Sequence, residues 1–265
     1  MFLKPPPDDY INVFLHGSGA ADQHHFGFYL IPQGPGAIKT ILIIPNVIKG
    51  MVINRLNQVW LADITYIRIR TGFVYLAAIL DACSRRAIGY AVSTRIDTAL
   101  TLKALRMATA KRQPGPGVIH HSDQGVQYAS DEYIEELKHH GFEISMAQTG
   151  NPYENATMES FFKTLKCEEV YLCQYETFED VMAKPPYFIE EVYNQKRFHS
   201  ALRYRSPNEF EESLVTKQNT ESSRHSLLTL CAQSWGCNPA CHSLASVRTA
   251  IKLATGLLRN YLSHW

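Results

Sequence analysis

The first sustained pattern along the chain is an alternation that begins at Gln58. In QVWLADITYIRIR, Trp60, Ala62, Ile64 and Tyr66 fall on one face of an extended segment. Leu61, Asp63, Thr65 and Ile67 fall on the other. GFVYLAAILDACS, after a Thr71-Gly72 turn, and RRAIGYAVST predict a second and a third strand. Their connections are too short for crossovers, so the three form an antiparallel meander. The period then becomes helical. Leu102, Leu105 and Ala108 recur behind Asp97 as a cap, Lys111 and Arg112 suit the C-terminus, and PGPG stops the helix. GVIHH reads as a short strand, SDEYIEELKHHG as a helix capped by Ser130 with Gly141 beyond its end, and FEISMAQ as a fifth strand. Strand and helix alternate in this half, which argues for parallel strands. In TGNPYENATMESFFKTLKCEEV, Asn151, Pro152 and Glu154 supply a cap, a first helical position and a capping-box partner, with Asn155 as a second candidate cap. A further helix is broken or entered at Pro185-Pro186 and runs on through YFIEEVYNQKR.

Outside this stretch the text changes. Residues 1–48 are rich in Pro, Gly and His and show little periodicity. Beyond about residue 215 Ser, Thr, Cys and Leu dominate, with SVRTAIKLATGLLRNYL as one candidate amphipathic helix. We therefore expect a poorly defined segment 1–48, a core 49–215 and a tail 216–265. Hydrophobic content of 45% is enough for a packed core. The net charge of +1 confines any nucleic-acid surface to a local patch. MFLKPPPDDY has no signal-peptide core, and the longest apolar run, IKTILIIPNVI, is too short to span a bilayer. The expectation is a soluble, cytoplasmic protein with no membrane partner. Cys83, Cys167 and Cys173 are scattered, and Cys231, Cys237 and Cys241 lack the paired spacing of a zinc site, so reduced cysteines are expected.

Three acids stand in odd places. Asp63 is in mid-strand among apolar residues, Asp123 lies just past a strand end in VIHHSDQGVQYAS, and Glu159 lies in a helix next to Phe161 and Phe162. A carboxylate near a core is costly unless it is paired or bound to a cation. No basic residue lies close in sequence to Asp63 or Asp123, so the partner is a distant base or a metal. Three carboxylates holding two hard cations roughly 4 Å apart are one solution to phosphodiester chemistry.

The motifs WLADITYI, HHSDQGVQY and NATMESFFKTLK resemble the catalytic core of insertion-sequence transposases, which are kin to retroviral integrases. The resemblance runs from about Asn54 to Glu212 and takes in YNQKRFHSALRYRSPNEF. Between Asp123 and Glu159 lie 159 − 123 − 1 = 35 residues, the spacing of that family's D,D(35)E triad. The resemblance implies an α/β, ribonuclease H-like fold with a five-stranded mixed sheet flanked by helices. It implies Asp63, Asp123 and Glu159 as catalytic residues and as ligands of two Mg²⁺ (or Mn²⁺) ions. It implies strand nicking and strand transfer on DNA, both element ends and target, by a homo-oligomer. Asn155, Lys163, Lys166, Arg197 and His199 are the residues expected at the nucleic acid. Gly125 would form the turn that aims Asp123, with Ser122 and Gln124 hydrogen-bonding around it, while His120 and His121 would be structural or support the ligands. Two alternatives stay open. One is a truncated or inactive remnant that only binds nucleic acid, since residues 1–48 do not look like the helix-turn-helix segment the family carries before its core. The other is a ribonuclease H-type or repair nuclease on the same fold, against which the spacing and the two lysines speak.

Overall fold

The computed structural model describes residues 11–14, 27–32, 38–147 and 155–216. The chain divides into two units, Met1–Glu212 and Ser213–Trp265; the elements below belong to the first, apart from the end of the last helix. Asn151, Pro152 and Glu154, Cys231, Cys237 and Cys241, and the candidate helix of the tail lie outside the described residues.

Segment 1–48, whose sequence shows little periodicity, contributes a three-stranded antiparallel sheet, β1 (Ile11–Phe14), β2 (Gly27–Pro32) and β3 (Ile38–Ile43). Each run is only four to six residues long, too short for its periodicity to register against Gly- and Pro-rich surroundings.

The core is the mixed five-stranded sheet expected of the ribonuclease H-like class. Its strands are β4 (Val59–Ile69), β5 (Gly72–Asp81), β6 (Ala87–Ser93), β7 (Ile119–Ser122) and β8 (Glu143–Met146), in the order β6-β5-β4-β7-β8. The first three pair antiparallel; β7 and β8 run parallel to β4. Between them lie α1 (Thr98–Arg112) and α2 (Asp131–His139), followed by α3 (Ala156–Leu165) and α4 (Phe178–Tyr187).

The alternation in β4 sorts its side chains between two cores. Leu61 and Ile67 join Leu76 of β5 against Met158, Phe161 and Leu165 of α3 and Val181 of α4. Trp60 and Ala62 join Ala77, Ile79 and Ile88 against Leu100 and Leu105 of α1 and Tyr133 and Leu137 of α2. Burying each such large side chain contributes about 2 kcal/mol. Gly89 on β6 lets α1 approach closely, because a Cβ there would overlap the Ala104 carbonyl and Ala108. Asp97 caps α1, its carboxylate accepting from the Leu100 N–H at 3.0 Å. Ser130 precedes α2 but gives no side-chain cap; its hydroxyl donates to the Gln127 carbonyl instead.

The proline pair does not break its helix. Thr177 and Asp180 form a capping box at the start of α4, Pro185 and Pro186 lie inside it, and the chain continues as a π-helical turn through Phe188–Asn194. Without N–H groups the prolines leave the Val181 and Met182 carbonyls without their usual helical donors, and the wider turn takes up the change. Asn194, fully buried, ends this turn and pairs with both backbone groups of Ala87, at 3.0 Å each. The last described helix, α5 (207–216), carries Glu211 into a buried cluster with Ser84, Arg86 and Arg112. No helix among the described residues is long and apolar enough to cross a membrane.

Candidate active site

The site forms where the sheet loses a strand. β4 pairs with β5 along almost its whole length but with β7 only from Val59 to Ala62. From Asp63 onward its β7 edge is open. β7 is parallel to β4 and ends at Ser122, so Asp123 leaves the sheet at the same end. A crevice outside the carboxyl ends of parallel strands is where open α/β sheets place ligands.

Asp63 sits at the head of that opening, on the face it shares with Leu61, Thr65 and Ile67. One carboxylate oxygen accepts from the Ile64 N–H at 2.7 Å. The other accepts from the Asn155 Nδ2 amide at 2.7 Å. Burial pushes its pKa up to about 6; the charges of Asp123 and Glu159 push the same way, while the Ile64 and Asn155 hydrogen bonds oppose the rise.

Glu159 reaches the same opening from α3. Met158, Phe161, Phe162 and Leu165 bury the apolar side of this helix, which leaves Glu159 and Lys163 exposed. The helix continues into a π-helical turn, Lys166–Val170. Together these elements wall a cleft of about 390 Å³ lined by Asp63, Glu159, Lys163, Lys166, Cys167 and Tyr171, among others. Burial holds the Lys166 pKa below its ordinary value, against an opposing pull from Asp63.

Asp123 does not line this cleft. It is exposed, and its Oδ1 accepts from the Gly125 N–H at 3.0 Å. A Cβ on Gly125 would come within 2.9 Å of that oxygen, so a larger residue there would shift the Asp123 carboxylate. The Ser122 hydroxyl, expected to bond around the Asp123 carboxylate, donates instead to the Asp123 backbone carbonyl at 3.0 Å. Asp63 and Glu159 thus share one cleft, with Asp123 in electrostatic reach of Asp63. As placed, no three acidic, histidine or cysteine side chains among the described residues stand close enough to hold a metal ion.

Several other expected site residues have different surroundings. Asn155 directs its amide to Asp63 and makes no side-chain cap for α3. His120 and His121 are buried in β7, His120 against the Tyr133 hydroxyl and His121 against Ser145, both at 2.9 Å. Burial and the neighbouring His121 hold the His120 pKa down at about 3. Arg197 pairs with Glu168. His199 packs edge-on against Tyr193, ring centroids 5.0 Å apart, and its backbone N–H donates to the Arg205 carbonyl. Neither Arg197 nor His199 is among the residues that line the cleft. Cys83, Cys167 and Cys173 are free thiols.

Cys167 and Tyr171 were not anticipated in the cleft wall. Their signal was in the sequence: Glu159, Lys163, Cys167 and Tyr171 recur every four residues, the repeat of one helix face.

Residues 54–152 and 140–207 match two family models, each an integrase core domain. Residues 54–207 belong to the integrase core domain family. This integrase core is 44% identical over 156 residues to the transposase for insertion sequence element IS904 of Lactococcus lactis subsp. lactis, covering 59% of this chain and 62% of the relative. It is 41% identical over 155 residues to the transposase InsF for insertion sequence IS3A of Escherichia coli K12, covering 58% and 54%. The chain therefore spans between one half and two thirds of the length of these relatives. Among solved structures, the HTLV-2 integrase catalytic core domain in complex with magnesium aligns at 15% identity with a TM-score of 0.46, covering 58% of this chain and 95% of that one.

Proposed function

We propose that this integrase core cuts and rejoins DNA strands, as part of a transposase or integrase. Asp63, Asp123 and Glu159 would be its catalytic carboxylates and the ligands of two Mg²⁺ or Mn²⁺ ions. The observation that carries the reading is the state of Asp63. Its carboxyl is half-buried, stands under the charge of two further carboxylates, and makes no ion pair among the described residues. It also faces a cleft lined by Glu159 and two lysines. A buried acid in that position is short of positive charge, and an all-oxygen donor set suits a hard divalent cation. When bound, two such ions stabilise both the attacking and the leaving oxygen of an in-line phosphoryl displacement.

The chain's own residues account for the rest. The Ile64 N–H and the Asn155 amide fix the direction of the Asp63 carboxylate. The Gly125 N–H holds Asp123. Lys163 and Lys166, which line the cleft, would take the phosphates of a strand lying in it. In the displacement, a water or a 3′-hydroxyl oxygen bonds to phosphorus as the opposite P–O bond breaks, and the departing oxygen leaves as a hydroxyl. Joining two DNA ends needs more than one such site, so a homo-oligomer is part of this proposal, with element ends and target DNA as its partners.

The test is nicking of supercoiled DNA by the full chain in Mg²⁺ or Mn²⁺, beside Asp63→Asn and Glu159→Gln. Metal-dependent nicking lost in both variants is the expected result. Equal activity in the wild type and the Asp63→Asn protein would overturn the assignment.

A further inference from the structure

The two helices that cover one face of the sheet leave its far end bare. Ile64 and Tyr75 still pack against that core. One step further along the β4–β5 hairpin, Tyr66 is 57% exposed and Phe73 is 52% exposed. Their rings meet edge to face, centroids 5.5 Å apart at 89°, so each holds the other's orientation. Arg68, also exposed, lies directly across from Phe73 in the strand register. Two large aromatic rings kept in water beside an arginine on a sheet are not explained by the core.

The link to the cleft is Lys166. Its Nζ stands 4.4 Å from the centre of the Tyr66 ring, and the same side chain lines the cleft with Asp63 and Glu159. It comes from the helix on the opposite face of the sheet and reaches Tyr66 along the edge that β7 leaves open beyond Ala62. Tyr66 follows Asp63 by three residues, about 10 Å along an extended strand. The ring and the ammonium together match the two halves of a nucleotide, a base that stacks on an aromatic face and a phosphate that meets a cation. A paired duplex hides its base faces; an unpaired base offers them.

We propose that the exposed end of the β4–β5 hairpin, Tyr66 with Phe73 and Arg68, is a stacking platform for unpaired nucleotides of the DNA strand that enters the cleft past Lys166. This rests on the reading of the cleft as a DNA site and adds to it: the preferred substrate is a DNA end with an opened or tailed terminus. Tyr66 is a positioning residue in this scheme, setting both a base and the Lys166 ammonium.

The experiment uses the full chain in Ca²⁺, so that binding is read without cleavage. The probes are a blunt DNA duplex and a duplex of equal length with a short unpaired tail carrying 2-aminopurine. The wild type is expected to prefer the tailed duplex and to quench the 2-aminopurine on binding. Tyr66→Leu with Phe73→Leu should reduce the preference about tenfold, the worth of one stacked base, while Tyr66→Phe retains it. Both positions are solvent-exposed, and circular dichroism checks that the double variant is folded. A double variant that keeps the full preference and quenching would overturn the platform, as would a wild type that shows none. Nicking of supercoiled DNA in Mg²⁺, run in parallel, separates the two readings. Nicking without tail preference removes the platform and leaves the strand-cutting function. Tail preference and quenching without nicking uphold the platform and remove that function.

Discussion

Two carboxylates taken out of water meet opposite fates in this molecule. Glu211 on α5 is surrounded by donors: Ser84 Oγ at 2.6 Å, Arg86 at 2.8 Å, and both terminal nitrogens of Arg112. Burial alone would raise its pKa, yet Arg112, Ser84 and Arg86 together bring it below the ordinary glutamate value. Asp63 has one backbone N–H and one side-chain amide; Asp123 and Glu159 act on it with like charge and Lys166 of the same cleft with opposite charge. Its pKa goes up. The first carboxylate fastens the last helix to α1 and the β5–β6 connection, and its charge is neutralised inside the chain. The second is left short of positive charge at the mouth of a cleft. A buried acid that the fold has compensated is a structural bolt; Asp63, which it has not, is where we propose that a cation binds.

The comparison breaks most visibly at Glu211. Glu211→Gln leaves Arg112 and Arg86 without their carboxylate and should cost about 3 to 5 kcal/mol, the usual penalty for removing one partner of a buried ion pair. Chemical denaturation midpoints would show it. Asp63→Asn should leave that midpoint unchanged or raise it, since it removes a charge that its surroundings oppose. A large loss from Asp63→Asn would mean that the two sites are alike after all.

Divalent cation gives the next effect. If Asp63 and Glu159 await a metal, Mg²⁺ or Mn²⁺ at about a hundred times its dissociation constant should stabilise the wild type by about 2.7 kcal/mol. Asp63→Asn and Glu159→Gln should lose that gain, and chelator should reverse it in the wild type. Glu211→Gln, although less stable, should keep the full metal-induced rise in melting temperature.

The smallest effect sharpens the comparison with a group that has a hydrogen bond and no countercharge. His120 bonds to Tyr133 and stays neutral inside β7, its pKa lowered from 6.5 to about 3 by burial and by His121. The unfolded chain takes up a proton near pH 6.5 and the folded one does not. Stability should therefore be full above pH 6.5 and fall by up to about 1.4 kcal/mol for each unit below it, until the folded group protonates near pH 3. His120→Gln should flatten that limb in melts taken from pH 7 to pH 5. Glu211 adds a separate loss at lower pH: its folded pKa is depressed, so its contribution is present above the ordinary glutamate value and disappears as pH falls through the folded one.

The five core strands, the antiparallel meander and the parallel pair were legible because alternation and turn residues are local signals. So was the face of Asp63, since a strand's period of two leaves no choice once Leu61 and Ile67 are buried. The three short strands of the N-terminal segment were not, and neither was the continuation of α4 through its prolines. In the first case the runs are too brief to carry a period. In the second, two missing N–H groups favour a break locally, and the packing of Phe188 and Ile189 into the core favours continuity.

The sequence by itself determined which acids were out of place, how far apart they lie along the chain, and that Lys163 and Lys166 share the helix face of Glu159. Those are consequences of backbone period, which needs no knowledge of neighbours. Only the tertiary structure decided that β7 stops opposite Ala62 and opens the edge beside Asp63, that the Asn155 amide goes to a carboxylate 92 positions away, and that Arg112 belongs to Glu211 and not to solvent. Strand order and register select such partners. Any exposed amide or guanidinium could have met any carboxylate at similar energy in the unfolded chain, and the packing of the sheet makes one meeting possible and excludes the others.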